Sequence, residues 1–324
     1  MPARRSVAFC CVLCASAAPS AGADPFLVRN QHPIVALFGL PAPLPARLPA
    51  PGQSTVAALV NWSNFATTGN EGDLSYTLDG EIFEARAVVD HSLGTRFAVH
   101  GELAHRRLSA GSLDGAIEQW HDLFGLPSGS RTRLADDQLL LEYTTGTAAT
   151  FRFDGNAAGI ADLPLALGHQ WRASDTGALA TWLSVKLPTG RAEDLTGSGA
   201  VDVALSIVGD RRLGERWQAF AQANLAWLGE GDLLPGLQED FAWSLLGGLG
   251  WTAWRGLELA AQVEANSAVL DSGLDDLDGA AVVLTFGGSY RTAAGWRVDL
   301  AVSEDVQTDA SPDVVFNFGI RRGF

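Results

Sequence analysis

Apolar and polar residues alternate along most of the chain after about residue 54. In the last twelve residues, DVVFNFGIRRGF, Phe316 and Phe318 share one face of a strand with the other apolar positions, because neighbouring strand side chains point to opposite sides. Segments 216–228 and 256–267 alternate in the same way, with Leu, Ala, Val or Trp on one face and Gln, Asn or Glu on the other. The pattern predicts antiparallel strands that are apolar on one side.

This periodicity predicts twelve strands, and the links between them are alternately short and long. The strands are expected near 55–65, 81–91, 95–106, 159–171, 177–187, 200–208, 216–228, 240–252, 256–267, 280–291, 295–304 and 313–324. Short turns at one end and longer loops at the other are typical of bacterial outer-membrane barrels with an even strand number. The sequence therefore predicts an all-β fold, an antiparallel transmembrane β-barrel over residues 54–324.

Tryptophans mark one end of the predicted strands. Periodicity alone does not distinguish a membrane barrel from a soluble barrel or sandwich with apolar side chains inside. Trp171, Trp217, Trp251 and Trp296 lie on the apolar faces next to short turns, and Phe324 is expected at the same level. Because indole favours the bilayer interface, this placement predicts a periplasmic aromatic girdle and an outward-facing apolar surface.

The longest predicted outer loop covers residues 107–158. Residues 112–124 have apolar side chains at helical spacing and are followed by Gly125 and Pro127, which predicts a short amphipathic helix. A hairpin is expected within 139–153. If this hairpin entered the membrane, the barrel would have fourteen strands instead of twelve.

The first 23 residues have the pattern of a signal peptide. Arg4 and Arg5 precede an apolar run, and Ala21 and Ala23 match the small residues of a cleavage site. All three cysteines of the chain lie in this segment, so we expect the processed protein to have no disulfide framework and no thiolate metal site.

A proline-rich segment, residues 24–53, follows the signal peptide. Its seven prolines exclude a regular helix or an interior strand. The segment is expected to be either a periplasmic tail or a plug that folds into the barrel, and its apolar residues Ile34, Val35, Leu37 and Phe38 favour docking.

Charge and hydropathy narrow the possible functions. Of 22 basic and 37 acidic residues, the two arginines of the signal peptide are removed with it, which leaves 20 basic residues and a formal charge of −17. Such a chain is not expected to bind nucleic acid. Because no later run of about 20 apolar residues occurs, spanning helices are also not expected, and a membrane protein without them must close its backbone hydrogen bonds in a barrel.

Charged and polar residues fall on the faces that would point into the barrel. Candidates for lining the lumen are Glu84, Arg86, His100, Glu102, Lys186, Glu258, Glu264, Arg291, Arg297, Asp299, Asn317 and Arg321. These side chains form either an ion-paired network that fills a narrow barrel or the wall of a wetted channel whose charges tune selectivity.

Motifs of known catalytic chemistry are missing from the sequence. There is no G-x-S-x-G elbow, HExxH helix, P-loop or EF-hand loop. His100 and Glu102 share a strand face while His105 points the other way, which favours an ion pair over a metal cluster. We therefore do not expect this protein to be an enzyme, and we expect neither a cofactor nor a metal site in it.

The carboxyl terminus resembles the closing strand of Gram-negative outer-membrane barrels, which the barrel-assembly machinery reads as a signal. Asn317, Gly319 and Phe324 match its polar, glycine and final aromatic positions, whereas Arg322 stands where a second large apolar residue is usual. The resemblance implies that the assembly machinery is a partner of this protein.

Four longer stretches resemble a family of uncharacterised Gram-negative outer-membrane proteins catalogued only as a domain of unknown function. They are RNQHPIVALFGLP (29–41), LDGAIEQWHDLFGLPSGSR (113–131), GIADLPLALG (159–168) and SVKLPTG with LTGSGAVD (184–202). GIADL and KLPTG are also distantly similar to outer-membrane channels for aromatic hydrocarbons and fatty acids. The resemblance implies a barrel in the outer membrane and supplies no binding residue.

The expected function is passage of small molecules, apolar ones among them, through an outer-membrane channel. Two alternatives remain at this point: an outer-membrane enzyme that acts on lipid or peptide, and a structural or adhesive barrel with partner-binding loops. Expected partners are outer-membrane lipid, lipopolysaccharide, the barrel-assembly machinery and a small-molecule solute.

Overall fold

The structure is a computed structural model, and it describes residues 24–125, 130–307 and 311–324. The predicted signal peptide, residues 1–23 with Ala21 and Ala23 at its cleavage site, lies outside the described residues. In the described part of the chain, no helix has the length and apolar composition needed to cross a membrane.

The described residues form fifteen strands, two α-helices and three 3-10 helices of three residues each. The strands are β1 (Ser54–Glu71), β2 (Leu74–Ser92), β3 (Phe97–Ser109), β4 (Leu140–Thr145), β5 (Ala148–Phe153), β6 (Ala157–Ile160), β7 (Leu163–Ser174), β8 (Gly177–Leu187), β9 (Asp202–Arg212), β10 (Trp217–Trp227), β11 (Phe241–Trp254), β12 (Leu257–Asn266), β13 (Ala281–Arg291), β14 (Arg297–Gln307) and β15 (Val314–Gly323). The α-helices are α1 (Asp114–Phe124) and α2 (Asp275–Asp278).

Twelve of these strands close into an antiparallel barrel. Strands β1, β2, β3 and β7 to β15 each pair with the next in that order, and β1 pairs with β15, with Thr55 opposite Gly323. A closed sheet leaves no unpaired edge, as a lipid environment requires. The predicted twelve-stranded barrel is therefore confirmed. We call the end with the short links the turn end and the opposite end the loop end.

Strands β4, β5 and β6 add to the barrel at its loop end. Strand β4 pairs with the first residues of β2, Leu74 to Asp79, and β5 pairs with β4 alone. Strand β6 continues the line of β7 along β3. The hairpin predicted within 139–153 therefore exists but does not enter the barrel wall, so the strand number is twelve and not fourteen. The predicted loop helix is α1.

Strands β1 and β2 are longer than predicted. They continue past Phe65 as a paired hairpin to a tight turn at Gly72, whose φ of 55° favours glycine. In this extension apolar side chains such as Tyr76 and Leu78 point inward and are buried. Since this reverses the pattern of the barrel wall, the outward apolar alternation used to identify strands ends there.

Apolar side chains cover the outer wall of the barrel. Leu167 on β7, Leu205 on β9 and Leu225 on β10 are about half exposed. The residues that alternate with them along each strand point inward and are mostly buried. Aromatic rings surround the turn end, where Trp217 stacks on Trp251 with ring centroids 6.2 Å apart. The Arg322 guanidinium lies 5.3 Å from the Trp296 ring and 5.2 Å from the Phe324 ring. These contacts place its charge within the aromatic belt.

The loop end is closed by a buried apolar cluster. It joins side chains of the loops after β8, β10 and β12 with side chains of β1, β2 and β4, among them Leu195, Leu233, Leu270 and Leu141. Residues from the proline-rich segment complete the cluster, including Phe38, which is fully buried. At the loop end, beyond the barrel wall, the protein therefore has a buried apolar core like that of a soluble domain.

Candidate functional site

Residues 24–53, which we call the N-terminal segment, lie inside the barrel. Asp24 contacts Arg297 at the turn end, and Asn30 reaches Asn266 at the loop end of β12. The chain then crosses to β9, where the Gly39 N–H donates to Asp202, and descends until Leu48 contacts Gln170 near the turn end of β7. The N-terminal segment thus enters and leaves at the turn end and reaches the loop end in between. We call residues 24–30 its ascending arm, 31–38 its apex and 39–53 its descending arm.

Three glutamines on the inner wall bind the backbone of the N-terminal segment. Gln262 accepts from the N–H of Phe26 at 2.9 Å and donates to its carbonyl at 3.3 Å. Gln222 accepts from the N–H of Leu44 at 2.8 Å and donates to the carbonyl of Ala42. Gln170 binds the descending arm in the same way. Each side-chain amide therefore replaces one rung of a β-ladder, which a proline-rich chain cannot form continuously.

The apex of the N-terminal segment is held by its own side chains. The Arg29 guanidinium donates to the carbonyls of Ala36, Phe38 and Leu40 at 2.9, 3.3 and 2.6 Å, which ties the two arms together. His32 Nδ1 accepts from the N–H groups of Ile34 and Val35 at 3.3 and 3.4 Å. Burial lowers the pKa of His32 to about 3, so its imidazole is neutral and can accept these bonds.

Lys186 joins the apex to the outer loops. Its Nζ lies 2.6 Å from Asp162 Oδ2 and 3.1 Å from Asp202 Oδ2, and it donates to the carbonyl of Leu37 at 3.1 Å and to Ser198 Oγ at 2.5 Å. Asp202 also accepts from the N–H groups of Gly39 and Gly229. One buried ammonium therefore connects the N-terminal segment with two outer loops.

A second cluster of charges lies between β2 and β3. Arg86 Nη1 lies 2.9 Å from Glu102 Oε2, and Arg106 Nη2 lies 3.0 Å from Glu84 Oε2. His100 bridges Asp90 at 2.8 Å and Glu102 at 3.1 Å, so both of its ring nitrogens are engaged. Arg86 also donates to the carbonyl of Leu27, and Arg106 to that of Ala36. The pairs hold the ascending arm and the apex against the wall, since Arg86 and Arg106 are fixed by carboxylates while they bind the backbone there.

A third cluster lies at the turn end, between β12 and β15. Arg297 Nε donates to Asp299 Oδ1 at 2.8 Å, and its Nη1 lies 3.3 Å from Glu258 Oε2 and 3.1 Å from Asp24 Oδ2. Arg321 Nη2 lies 3.3 Å from Asp299 Oδ2 and donates to the carbonyl of Pro25 at 3.1 Å.

The remaining candidates from the sequence also point inward. Glu264 accepts from the backbone N–H of Asn30, Asn317 donates to Asn61 Oδ1 at 2.5 Å, and Arg291 is half-buried beside the turn-end cavity. The structure thus distributes the twelve lumen candidates over three clusters and a few single positions. It does not bring them together in one line through the barrel, because the N-terminal segment lies between the clusters.

Five residues that hold the N-terminal segment are absent from the lumen candidates named from the sequence. They are Gln170, Asp202, Gln222, Gln262 and Asn266. Four of them are uncharged and Asp202 begins strand β9, so a search for inward charges along the strands overlooks them. The signal that could have identified three of them is the repeated placement of glutamine on inward positions.

A cavity of about 520 Å³ lies below the N-terminal segment at the turn end. Its apolar wall includes Leu44, Val208, Phe220 and Leu246, and its rim carries arginines and aspartates. Such a size and mixture of surfaces suits a small ligand. Among the residues that the structure describes, no group of three or more His, Cys, Asp or Glu side chains is placed to hold a metal ion.

The geometry at His32 predicts a pH-dependent loss of stability. The ordinary pKa of the group is 6.5, so between pH 6.5 and 3 the unfolded chain takes up a proton that the folded chain excludes. Stability that is present above pH 6.5 is therefore lost as pH falls, by at most about 3 kcal/mol at pH 4.5.

This prediction is checked with His32→Asn, whose side-chain oxygen can take the place of Nδ1 and does not titrate. The unfolding midpoints of both proteins are measured at pH 7.5 and 4.5, and the variant should lose less stability on acidification. Equal losses in the two proteins would contradict the prediction.

Comparison with known proteins finds a similar barrel among the solved structures. No protein with a curated description matches the chain. A solved outer membrane channel from Pseudomonas putida F1 is 15% identical, with a TM-score of 0.59 over 86% of this chain and 97% of that one. At this identity the likeness shows the fold alone, and it is the fold of an outer-membrane channel.

Two further solved structures are more distant. The NanC porin is 8% identical, with a TM-score of 0.49 over 82% of this chain and 98% of that one. The toluene transporter TodX of Pseudomonas putida is 12% identical, with a TM-score of 0.40 over 86% of this chain and 90% of that one. Both TM-scores lie below 0.5, which is too low to support a conclusion about this chain.

A family model matches residues 4–324, nearly the whole chain. The resemblance found in four stretches of the sequence is thereby confirmed. The chain belongs to the family described as "Protein of unknown function (DUF3187)".

Proposed function

We propose that the protein is an outer-membrane channel for small molecules, apolar ones among them, and that passage requires the N-terminal segment to move. The observation that carries this proposal is the way in which the segment is held. It occupies the lumen from the turn end to the loop end, and within the described residues none of the barrel strands pairs with it as a β-ladder.

The contacts of the N-terminal segment favour a displaceable blockade over a permanent core. Most of the polar contacts join side chains of the wall to backbone groups of the segment. Each has a net stability of about 1 kcal/mol where the wall group is a neutral amide or indole, and about 1.5–3 kcal/mol where it is an arginine or lysine. A lumen of twelve strands without the segment leaves room for a small pore, because barrel diameter grows with strand number. The polar groups released on displacement would be satisfied by water.

Two features of the path suit small molecules with apolar parts. The loop end presents the apolar cluster around Phe38 and Leu233, and the turn end presents the cavity with Phe220 and Leu246 in its wall. Between them lie the charge clusters of Arg86 and Lys186. Because the apolar cluster is buried while the N-terminal segment is in place, a solute would enter there only after the segment moves. It would then pass the charge clusters and reach the cavity, which faces the periplasm in the expected orientation.

Tethering the N-terminal segment tests this proposal. Asn30 Nδ2 donates to Asn266 Oδ1 at 3.0 Å, so cysteines at these two positions can be bridged by a short bifunctional methanethiosulfonate, which forms a disulfide with each thiol and releases sulfinate. The bridged protein should give no conductance in a planar bilayer and no solute uptake in liposomes, and reduction of the bridge should restore both.

The matched control is the single variant Asn30→Cys treated with the same reagent. Cys10, Cys11 and Cys14 lie in the predicted signal peptide, so the introduced thiols would be unique in the processed chain. Conductance that is unchanged by the bridge would contradict the proposal, and so would the lack of conductance in every state.

A further inference from the structure

Three arginines form a row on the inner wall at the turn end. Arg291 on β13 lies directly opposite Arg297 on β14, and Arg297 lies directly opposite Arg321 on β15. Like charges placed opposite each other on neighbouring strands destabilise a sheet. The row therefore needs anionic partners.

Part of this compensation comes from residues of the wall. Asp299 contacts both Arg297 and Arg321, and Glu258 contacts Arg297. The Arg291 side chain has no hydrogen bond or ion pair among the described residues, and its only anionic neighbour on the wall is Glu258, which acts on it through space. Nε of Arg321 is buried and also lacks a hydrogen-bond partner within the described part of the chain. Three arginines thus face two carboxylates of the wall, Asp299 and Glu258, which leaves one positive charge of the row uncompensated.

Asp24 of the N-terminal segment supplies a further anion. Its Oδ2 lies 3.1 Å from Arg297 Nη1 and 3.8 Å from Arg321 Nη1, and its carbonyl accepts from Arg297 Nη2 at 3.0 Å. The Asp24 side chain is 47% exposed, whereas that of Arg297 is 3% exposed. A solvent-facing carboxylate therefore rests on a buried guanidinium, at the border of the cavity.

The cavity itself combines these cations with an apolar wall. Five of the 20 basic residues outside the predicted signal peptide line it with their charged groups, namely Arg47, Arg212, Arg291, Arg297 and Arg321, beside the aspartates Asp24, Asp90, Asp175 and Asp210. Arg322 also borders the cavity, but its guanidinium lies in the aromatic belt. The chain outside that signal peptide carries a formal charge of −17, so this concentration of arginines is local. The apolar wall around Phe220 and Leu246 faces the same space.

We propose that this cavity binds small amphipathic organic anions, with the carboxylate or sulfonate on the arginine row and the apolar body against Phe220 and Leu246. The Asp24 carboxylate occupies the position that the anionic group of the solute takes. The proposal rests on the proposed function for its part in passage, since a solute that replaces Asp24 also frees one end of the N-terminal segment.

The chemistry of the row suits this ligand class. A guanidinium presents paired N–H groups that match the two oxygens of a carboxylate, and such charge-assisted bonds are stronger than neutral ones. An uncharged molecule of the same shape would keep the apolar contact and lose the ionic one. The site is therefore expected to bind the anion more tightly than the uncharged molecule of the same shape.

Equilibrium dialysis of the full-length protein in detergent micelles tests the binding directly. The probes are 2-naphthoate and the uncharged 2-naphthamide, which have similar apolar bodies. We expect naphthoate to bind more tightly than naphthamide, and Asp24→Asn to tighten naphthoate binding by about tenfold, since one competing charged contact is removed. Arg291→Gln should weaken naphthoate binding by a similar factor, and neither variant should change naphthamide binding.

Arg191→Gln serves as a control, because Arg191 is an exposed cation of an outer loop, far from the cavity along the barrel. Equal affinity for the two probes would overturn the proposal, and so would weaker naphthoate binding in Asp24→Asn. Charge-selective binding without conductance would support the anion site and contradict the channel function. Conductance without charge-selective binding would support the channel function and contradict the anion site.

Discussion

Deletion of residues 24–53, with the signal peptide joined directly to Ser54, is expected to raise the single-channel conductance of the purified protein by about tenfold or more, since the lumen of a twelve-stranded barrel would be open along much of its length. In the intact protein this segment fills the barrel from Asp24 at the turn end to Phe38 at the loop end. The measurement is current through a planar bilayer, beside the intact protein at the same salt concentration.

A synthetic peptide of residues 24–53 provides the control for this deletion. Added from the turn side, it should lower the conductance again, because the glutamine and lysine groups of the wall remain in place to bind it. A peptide with the same composition in scrambled order should have no effect. If deletion leaves the conductance unchanged, the loops around Leu233 and Leu270 close the barrel by themselves, and the proposed role of the segment is wrong.

The largest expected effect on stability comes from Lys186→Met. The substitution keeps an unbranched side chain of similar length and leaves Asp162 and Asp202 as buried carboxylates without their cation. Removing one partner of a buried ion pair costs about 3–5 kcal/mol, because the remaining charge has been taken out of water without compensation. Unfolding by urea in micelles, followed by tryptophan fluorescence, measures this loss.

Arg191→Met is the matched control, since Arg191 pairs with Glu193 and Asp194 while more than half exposed. Its loss should stay below about 1 kcal/mol. Adding Asp202→Asn to Lys186→Met should recover part of the stability, because one uncompensated charge is then removed. Equal effects of Lys186→Met and Arg191→Met would show that the buried cluster does not hold the loops and the apex together.

The barrel wall could be predicted from the sequence because its signal is local. Alternation with period two on β10 and β12 shows which side faces outward, and tryptophans such as Trp217 and Trp251 mark the turn end. The extension of β1 and β2 beyond Phe65 could not be predicted in this way. Its apolar residues, including Tyr76 and Leu78, face inward against outer loops, so its pattern depends on chain segments far away in the sequence.

The path of the N-terminal segment could not be predicted from the sequence for a similar reason. Its prolines exclude regular structure, and its bonds reach partners more than 100 residues away, such as Gln170 and Gln262. Inward charges such as Glu102 and Lys186 could be recognised from strand parity, but not their partners. Which charges meet depends on strand register and on the backbone carbonyls that the segment contributes.

By itself the sequence determined the class of this protein, which is a closed antiparallel barrel with apolar residues outside, because side-chain alternation is a property of each strand alone. It also predicted that charged residues such as Glu102 and Lys186 share the faces opposite the apolar ones. Only the tertiary structure decided that the lumen is occupied, that Lys186 links the apex to two loops, and that Arg291, Arg297 and Arg321 stand in one row beside Asp24. These features depend on the register of the closed sheet and on long-range hydrogen bonds, which no local pattern of residues specifies.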